Sequence, residues 1–277
     1  MTVSGLLKRH REDGPIWYIP DDLWDKVRPL LGREKRVGTV GRPPVPFRTC
    51  LDGILYVLRT GCQWKHAPKE FGSGSTLHRR FQEWVGRGVF KRVWRLLLKE
   101  YDEWRGIRRR WQALDSATTK APLGGEATGK SPVDRGKLGT KRHALTDQRG
   151  APIGLEVTGA NRHDSRAAGA TLESMPVKRP AADTQHLTAD KGYDYPAVRR
   201  TLKRRGLVAH IPQRDGRPPR QRGKRRYKAK RWVVERTHGW VNRYRRLLVR
   251  WEKKEANYVA PVHFAFAINL YRLIILG

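Results

Sequence analysis

The order of apolar runs between residues 111 and 248 constrains the fold more than any other feature of this chain. WQALDS is a short strand-like run ending in Asp115. Two further runs, 141–147 and 152–159, are joined by Gln148-Arg149-Gly150 and read as an antiparallel hairpin. A helical segment covers about 165–173, and 186–189 is again apolar and ends in Asp190. A helix over 196–205, a strand over 207–211 and a single long helix over 230–248 complete the series. Strands mixed with helices in this order predict a mixed α/β domain. Asp115 and Asp190 are expected at strand ends, with Glu235 on the last helix. The acids lie 190 − 115 = 75 and 235 − 190 = 45 residues apart, so nothing local relates them.

That last helix, KRWVVERTHGWVNRYRRLL, carries one acid among many cations. At helical period Val233, Thr237, Trp240, Tyr244 and Leu248 form an apolar stripe. Arg231, Glu235, His238 and Asn242 share another side. Two readings fit Glu235. One is a solvated i,i+4 pair with Arg231, worth about 0.2–0.5 kcal/mol. The other is the last ligand of a metal site. Three carboxylates from two strand ends and a helix could hold two magnesium ions about 3.5–4 Å apart for an in-line phosphoryl displacement. Carboxylate oxygen suits magnesium, and manganese would substitute.

Charge decides the partner. Fifty-nine basic residues against 26 acidic ones leave a formal +33 and a pI near 11.1, which self-repulsion opposes unless a polyanion is nearby. Arginine outnumbers lysine by 40 to 19, which favours bidentate phosphate recognition and so double-stranded DNA over a membrane. From Arg217 to Arg231 nine of fifteen residues are basic and none is acidic, a phosphate track containing Arg225 and Arg226. Two cysteines, Cys50 and Cys62, make neither a disulfide framework nor a zinc site, as expected in a reducing cytosol. No secretory signal is read at the N-terminus. The apolar run from Tyr258 to Leu276 contains Pro261, His263, Asn269 and Arg272, so a buried core helix is expected there rather than a span.

The first hundred residues read as helices. One opens after Pro20 with Leu23, Val27, Leu30 and Leu31 at helical spacing, and a second runs from Phe47 to Arg59 and stops at Gly61. A third begins at Ser75 as N-cap, and a fourth covers 89–104. The pair flanking the connector QWKHAPKEFGSG predicts a helix-turn-helix, with residues 75–84 as recognition helix and His78, Arg79, Arg80 and Gln82 on its exposed face. The expected division is a helical DNA-binding domain over 1–105 and a catalytic domain with C-terminal helices over 106–277. GGEATGKS from Gly124 matches a phosphate-binding loop in form only, because Pro132, Gly136 and Gly139 preclude the helix it requires. His163 with Asp164 reads as a turn, and Asp194 as a helix cap. Asp134 reads either as a local salt bridge with Arg135 and Lys137 or as a residue that helps position DNA.

On these motifs the chain resembles the insertion sequence five family of bacterial transposases, whose catalytic core is RNase H-like. The matching segments are ALDSATTK, PVDRGKLGTKRHALTD, GANRHDS, TADKGYD and RWVVERTHGWVNRYRRL. WYIPDDLWDKVRPLL and TGCQWKHAPKEF match toward the N-terminus. The resemblance implies an enzyme that cuts and joins DNA at terminal inverted repeats, with Asp115, Asp190 and Glu235 as catalytic metal ligands. It implies DNA contacts from Arg135, Lys137, Lys141, Arg231, Arg236 and Arg243, a homodimer on DNA, and a cytoplasmic, nucleoid-associated protein. A related signature places Tyr, Arg, Glu and Lys around the glutamate. Arg231 matches it, whereas Lys228 stands at the tyrosine position beside Tyr227 and Asn242 at the lysine position. A binding protein whose chemistry is lost and a nuclease without a joining step remain alternatives.

Overall fold

A computed structural model describes residues 16–34, 43–177, 184–214 and 231–276. The chain forms two compact units. One comprises the described residues of 102–241 together with 250–253 and is built on a sheet. The other comprises the described residues of 16–101, 242–249 and 254–276 and is helical. This differs from the expected cut at 105/106, because the last long helix clusters with the N-terminal helices and not with the sheet.

In the sheet unit, β1 (Trp111–Lys120) is central. The short β2 (Gly129–Lys130) pairs with β3 (Leu138–Thr146), which runs antiparallel to β1 on one side and to β4 (Pro152–Gly159) on the other. β5 (Gln185–Ala189) runs parallel to β1, and β6 (Leu207–His210) parallel to β5. Helices α5 (Asp164–Glu173), α6 (Pro196–Arg204) and α7 (Trp232–Asn242) follow β4, β5 and β6 in turn. Three antiparallel strands and then two parallel ones, each of the last three strands followed by a helix, make this an RNase H-like mixed sheet.

Two expectations need correction here. Asp115 is not at a strand end: β1 continues five residues further, because the β-branched Thr118 and Thr119 and their neighbours pair with β3. The run 230–248 is not one helix. α7 stops at Asn242, Tyr244 is extended (φ −87°, ψ 96°), and a separate 3-10 turn covers Arg245–Leu247. The buried face of α7 is Val233, Val234, Thr237, His238 and Val241, so His238 lies inside, whereas Tyr244 and Leu248 belong to the helical unit.

The helical unit contains α1 (Asp21–Leu31), α2 (Phe47–Thr60), α3 (Gly74–Gly86), most of α4 (Val89–Arg105) and α8 (Glu255–Leu276). Gly61 ends α2 in the left-handed conformation, φ 71°. The cap of α3 is Ser73 rather than Ser75; its hydroxyl accepts from the Thr76 N–H at 3.2 Å. α8 is long and apolar enough to cross a membrane, yet it buries Tyr258 and residues 260–271 within this unit. Phe264 packs on Phe90 at 5.4 Å between ring centroids, and His263 stacks on Trp94 at 5.0 Å and 16°.

Burial pushes the His263 imidazole down to about 3, with Lys91 adding to the shift. The unfolded chain therefore binds a proton near pH 6.5 that the folded ring refuses. The neutral ring contributes its full stability above that pH and loses it as pH falls toward 3. His263→Phe, which keeps the ring stack, is expected to flatten the loss of stability between pH 6.5 and 4 by on the order of 3 kcal/mol, measured by denaturant unfolding at each pH.

Candidate active site

Strand register brings the two aspartates together. The parallel pairing of β1 and β5 runs from Trp111↔His186 to Leu114↔Ala189, so Asp115 and Asp190 are the next residues on adjacent strands. Asp190 then caps a 3-10 turn over Lys191–Tyr193, its carboxylate accepting from the Gly192 N–H at 3.3 Å. Tyr193 of that turn is buried. Its hydroxyl is held well above the usual tyrosine range by burial, then by the charges of Asp164 and Asp115.

Glu235 reaches the same place from the exposed first turn of α7. Three successive residues dock that helix. Arg236 donates to the Arg149 carbonyl at 2.6 Å, and the Thr237 hydroxyl donates to the Gly150 carbonyl at 2.8 Å. The buried His238 ring faces the backbone of Asp115. Gly150 has φ 87°, and a Cβ there would stand 3.1 Å from both Arg236 and Thr237, so the hairpin turn read from sequence is also the seat of this helix.

One guanidinium joins the acids. Arg231 Nε donates to Glu235 Oε1 at 3.1 Å, and NH1 lies 3.7 Å from Asp190 Oδ1. Burial pushes the Asp115 carboxyl up to about 6; its own flanking Ser116 N–H and Arg231 oppose the rise, and Asp190 and Glu235 add to it. Asp115 therefore senses both other acids and the cation that pairs with them. Among the described residues, no three His, Cys, Asp or Glu side chains converge closely enough to enclose a metal ion. The donors are hard carboxylate oxygens with the chain's own cation standing among them, a chemistry that fits a divalent cation.

The proposed DNA contacts divide. Arg79 is exposed on α3, Arg135 and Lys137 are exposed on the turn between β2 and β3, and Arg243 is exposed beyond α7 in the helical unit. Others are engaged within the protein. Arg80 pairs with Glu83 at 2.6 Å and lies over Phe47. Lys141 is 2.9 Å from Asp164, with only 14% of its side chain exposed. Arg236 packs between Trp232 and Trp240. Arg225 and Arg226 lie outside the described residues, as does the Arg217–Arg231 tract apart from Arg231 itself. Asp164 is no mere turn residue, since it pairs with Lys141 and lies within electrostatic reach of Tyr193. Asp194 holds Arg199 at 2.7 Å rather than capping α6, and Asp134 lies 4.0 Å from Lys120 rather than bridging Arg135 or Lys137. Helical spacing alone groups His238 with Glu235; the docked helix separates the two, burying His238 and leaving Glu235 exposed.

Residues 108–270 match the family model described as "Transposase DDE domain", and residues 19–94 match "Putative transposase of IS4/5 family". The chain belongs to the IS4/5 group of DDE transposases. A Burkholderia cepacia protein, "Putative transposase for insertion sequence element IS402", is 37% identical over 144 residues, covering 50% of this chain. The match spans 64% of that relative's own length. The "Transposase for insertion sequence element IS1106" of Neisseria meningitidis serogroup B is 35% identical over 112 residues, 39% of this chain and 37% of the relative. The crystallised catalytic domain of Mos1 mariner transposase aligns with 70% of this chain and 95% of its own at 14% identity, with a TM-score of 0.28, too low to bear on the fold.

The raised carboxyl of Asp115 has a thermodynamic sign. Its folded value lies above its unfolded one, so its contribution is fully present below pH 3.8 and is lost as pH rises through about 6. Asp115→Asn is therefore expected to stabilise the metal-free protein at pH 7.5 by up to about 3 kcal/mol and to change little at pH 4, read from thermal melts in a chelating buffer.

Proposed function

We propose that this transposase is a metal-dependent enzyme that cleaves phosphodiester bonds at the terminal inverted repeats of an insertion sequence. It then joins the 3′ ends to target DNA. One observation carries the reading: three carboxylates from β1, the end of β5 and α7 share a single cation beside the central strands of an RNase H-like sheet.

In this reading Asp115, Asp190 and Glu235 hold magnesium ions, which supply activation of the attacking oxygen and neutralisation of the leaving one. The rest is done by the chain. The sheet register fixes Asp115 beside Asp190. The seat of α7 on Arg149 and Gly150 fixes Glu235. Ionised Asp115 is the binding form, so cation affinity weakens as pH falls below about 6. Arg231 is placed to grip a phosphate next to the acids. In the helical unit α3 offers His78, Arg79 and Gln82 to DNA, while Arg135 and Lys137 supply sequence-independent phosphate contacts. Holding two DNA ends for transfer calls for a homodimer on DNA.

Replacing Asp115, Asp190 or Glu235 singly by Ala is expected to reduce magnesium-dependent cleavage of the element's ends by on the order of 10³-fold or more while DNA binding persists. A triple Ala variant that still cleaves would overturn the proposal. Incubating pre-cleaved ends with target DNA tests the joining step, and absence of joined products leaves a nuclease.

For binding, Arg79→Ala is expected to weaken DNA affinity by about 1–3 kcal/mol and relax sequence preference if it reads a base. Lys137→Ala should lower affinity evenly across sequences and reduce the salt slope by about 1. Fluorescence anisotropy across a salt series separates the two.

A further inference from the structure

Arg231 has more partners than a helix-surface pair would give it. An i,i+4 bond accounts for its contact with Glu235 at 3.1 Å. It does not account for Asp190, 3.7 Å from NH1 on another element, or for the reach of its charge to the half-buried Asp115. The acids come from three separate elements and would repel one another without a positive charge among them. A divalent ion brought into the same carboxylates would in turn be repelled by the guanidinium.

Phosphate offers Arg231 an alternative. Its side chain is 40% exposed at the entry of α7, so it can turn outward, and a guanidinium fork suits phosphate as well as carboxylate. A bidentate grip on phosphate draws these N–H donors away from the carboxylates.

We propose that Arg231 is a resident counter-cation of the candidate active site: it holds the three acids together before loading, and DNA phosphate draws it away so that the divalent ion binds at full strength. DNA and cation then favour each other reciprocally, because each binds better once Arg231 has left the acids. The inference rests on the metal-dependent reading above.

The test uses the full chain and Mn²⁺ alone, with free ion followed by its paramagnetic resonance signal. Titrations are run with and without a random-sequence DNA duplex. In the wild type, DNA is expected to tighten Mn²⁺ binding by about 5–50-fold, within the usual range of site coupling. Arg231→Gln without DNA should bind Mn²⁺ about as tightly as the DNA-loaded wild type and gain less than about twofold from DNA. Arg231→Lys, which keeps the charge but loses the fork, should lie between.

Equal Mn²⁺ affinity in wild type and Arg231→Gln, each unchanged by DNA, overturns the proposal. Should Arg231→Gln fail to fold by circular dichroism, the wild-type comparison with and without DNA decides alone. Asp115→Asn separates the two levels. Mn²⁺ binding indifferent to that change removes the metal site itself and this inference with it. Binding that needs Asp115 but ignores both Arg231 and DNA removes only the counter-cation.

Discussion

The site depends on a parallel strand pair. β1 and β5 are in register up to Leu114 and Ala189, and the next residue on each is an aspartate. A shift of one residue would turn one carboxylate to the opposite face of the sheet. Everything placed around the acids serves that pairing or answers its consequence, which is negative charge concentrated beside the central strands. Tyr193 ends, buried, the turn that Asp190 caps, and α7 brings a third acid together with the arginine that offsets it.

Much of this was legible in the chain. The alternation of strands and helices predicts the mixed sheet, and the two apolar runs ending in acids mark the positions that meet. What could not be read was length and facing. Asp115 looks terminal because WQAL is apolar and SATTK is not, yet threonines pair well on a pleated surface, and β3 continues the ladder to Lys120. The helix around Glu235 shows an apparent apolar stripe running through Tyr244 and Leu248. The backbone turns at Tyr244, and the true buried face includes His238. A helical wheel assumes that the helix goes on, and it carries no information about where the helix stops.

The charge of the chain is less uniform in role than its count suggests. Arg80, Lys141 and Arg236 are held by Glu83, Asp164 and the Arg149 carbonyl. Arg250 is wholly buried and spends its donors on main-chain carbonyls and Thr140, closing the loop around Glu126 and Ala127. A basic composition thus supplies interior fasteners as well as contacts for a polyanion. Sequence alone cannot sort the two, because a guanidinium that packs on a ring and one that faces solvent look identical in a string of letters.

The path of the chain has a temporal side. It passes from the helical unit to the sheet unit after Tyr101, returns after Val241, crosses again for Arg250–Lys253 and comes back for α8. During synthesis the sheet unit has all its parts once Lys253 has emerged. The helical unit, begun first, still lacks the helix that covers Phe90 and Trp94. The nascent protein therefore completes the unit bearing the acids before the unit bearing α3, and a stalled or truncated product would carry the first without a finished second.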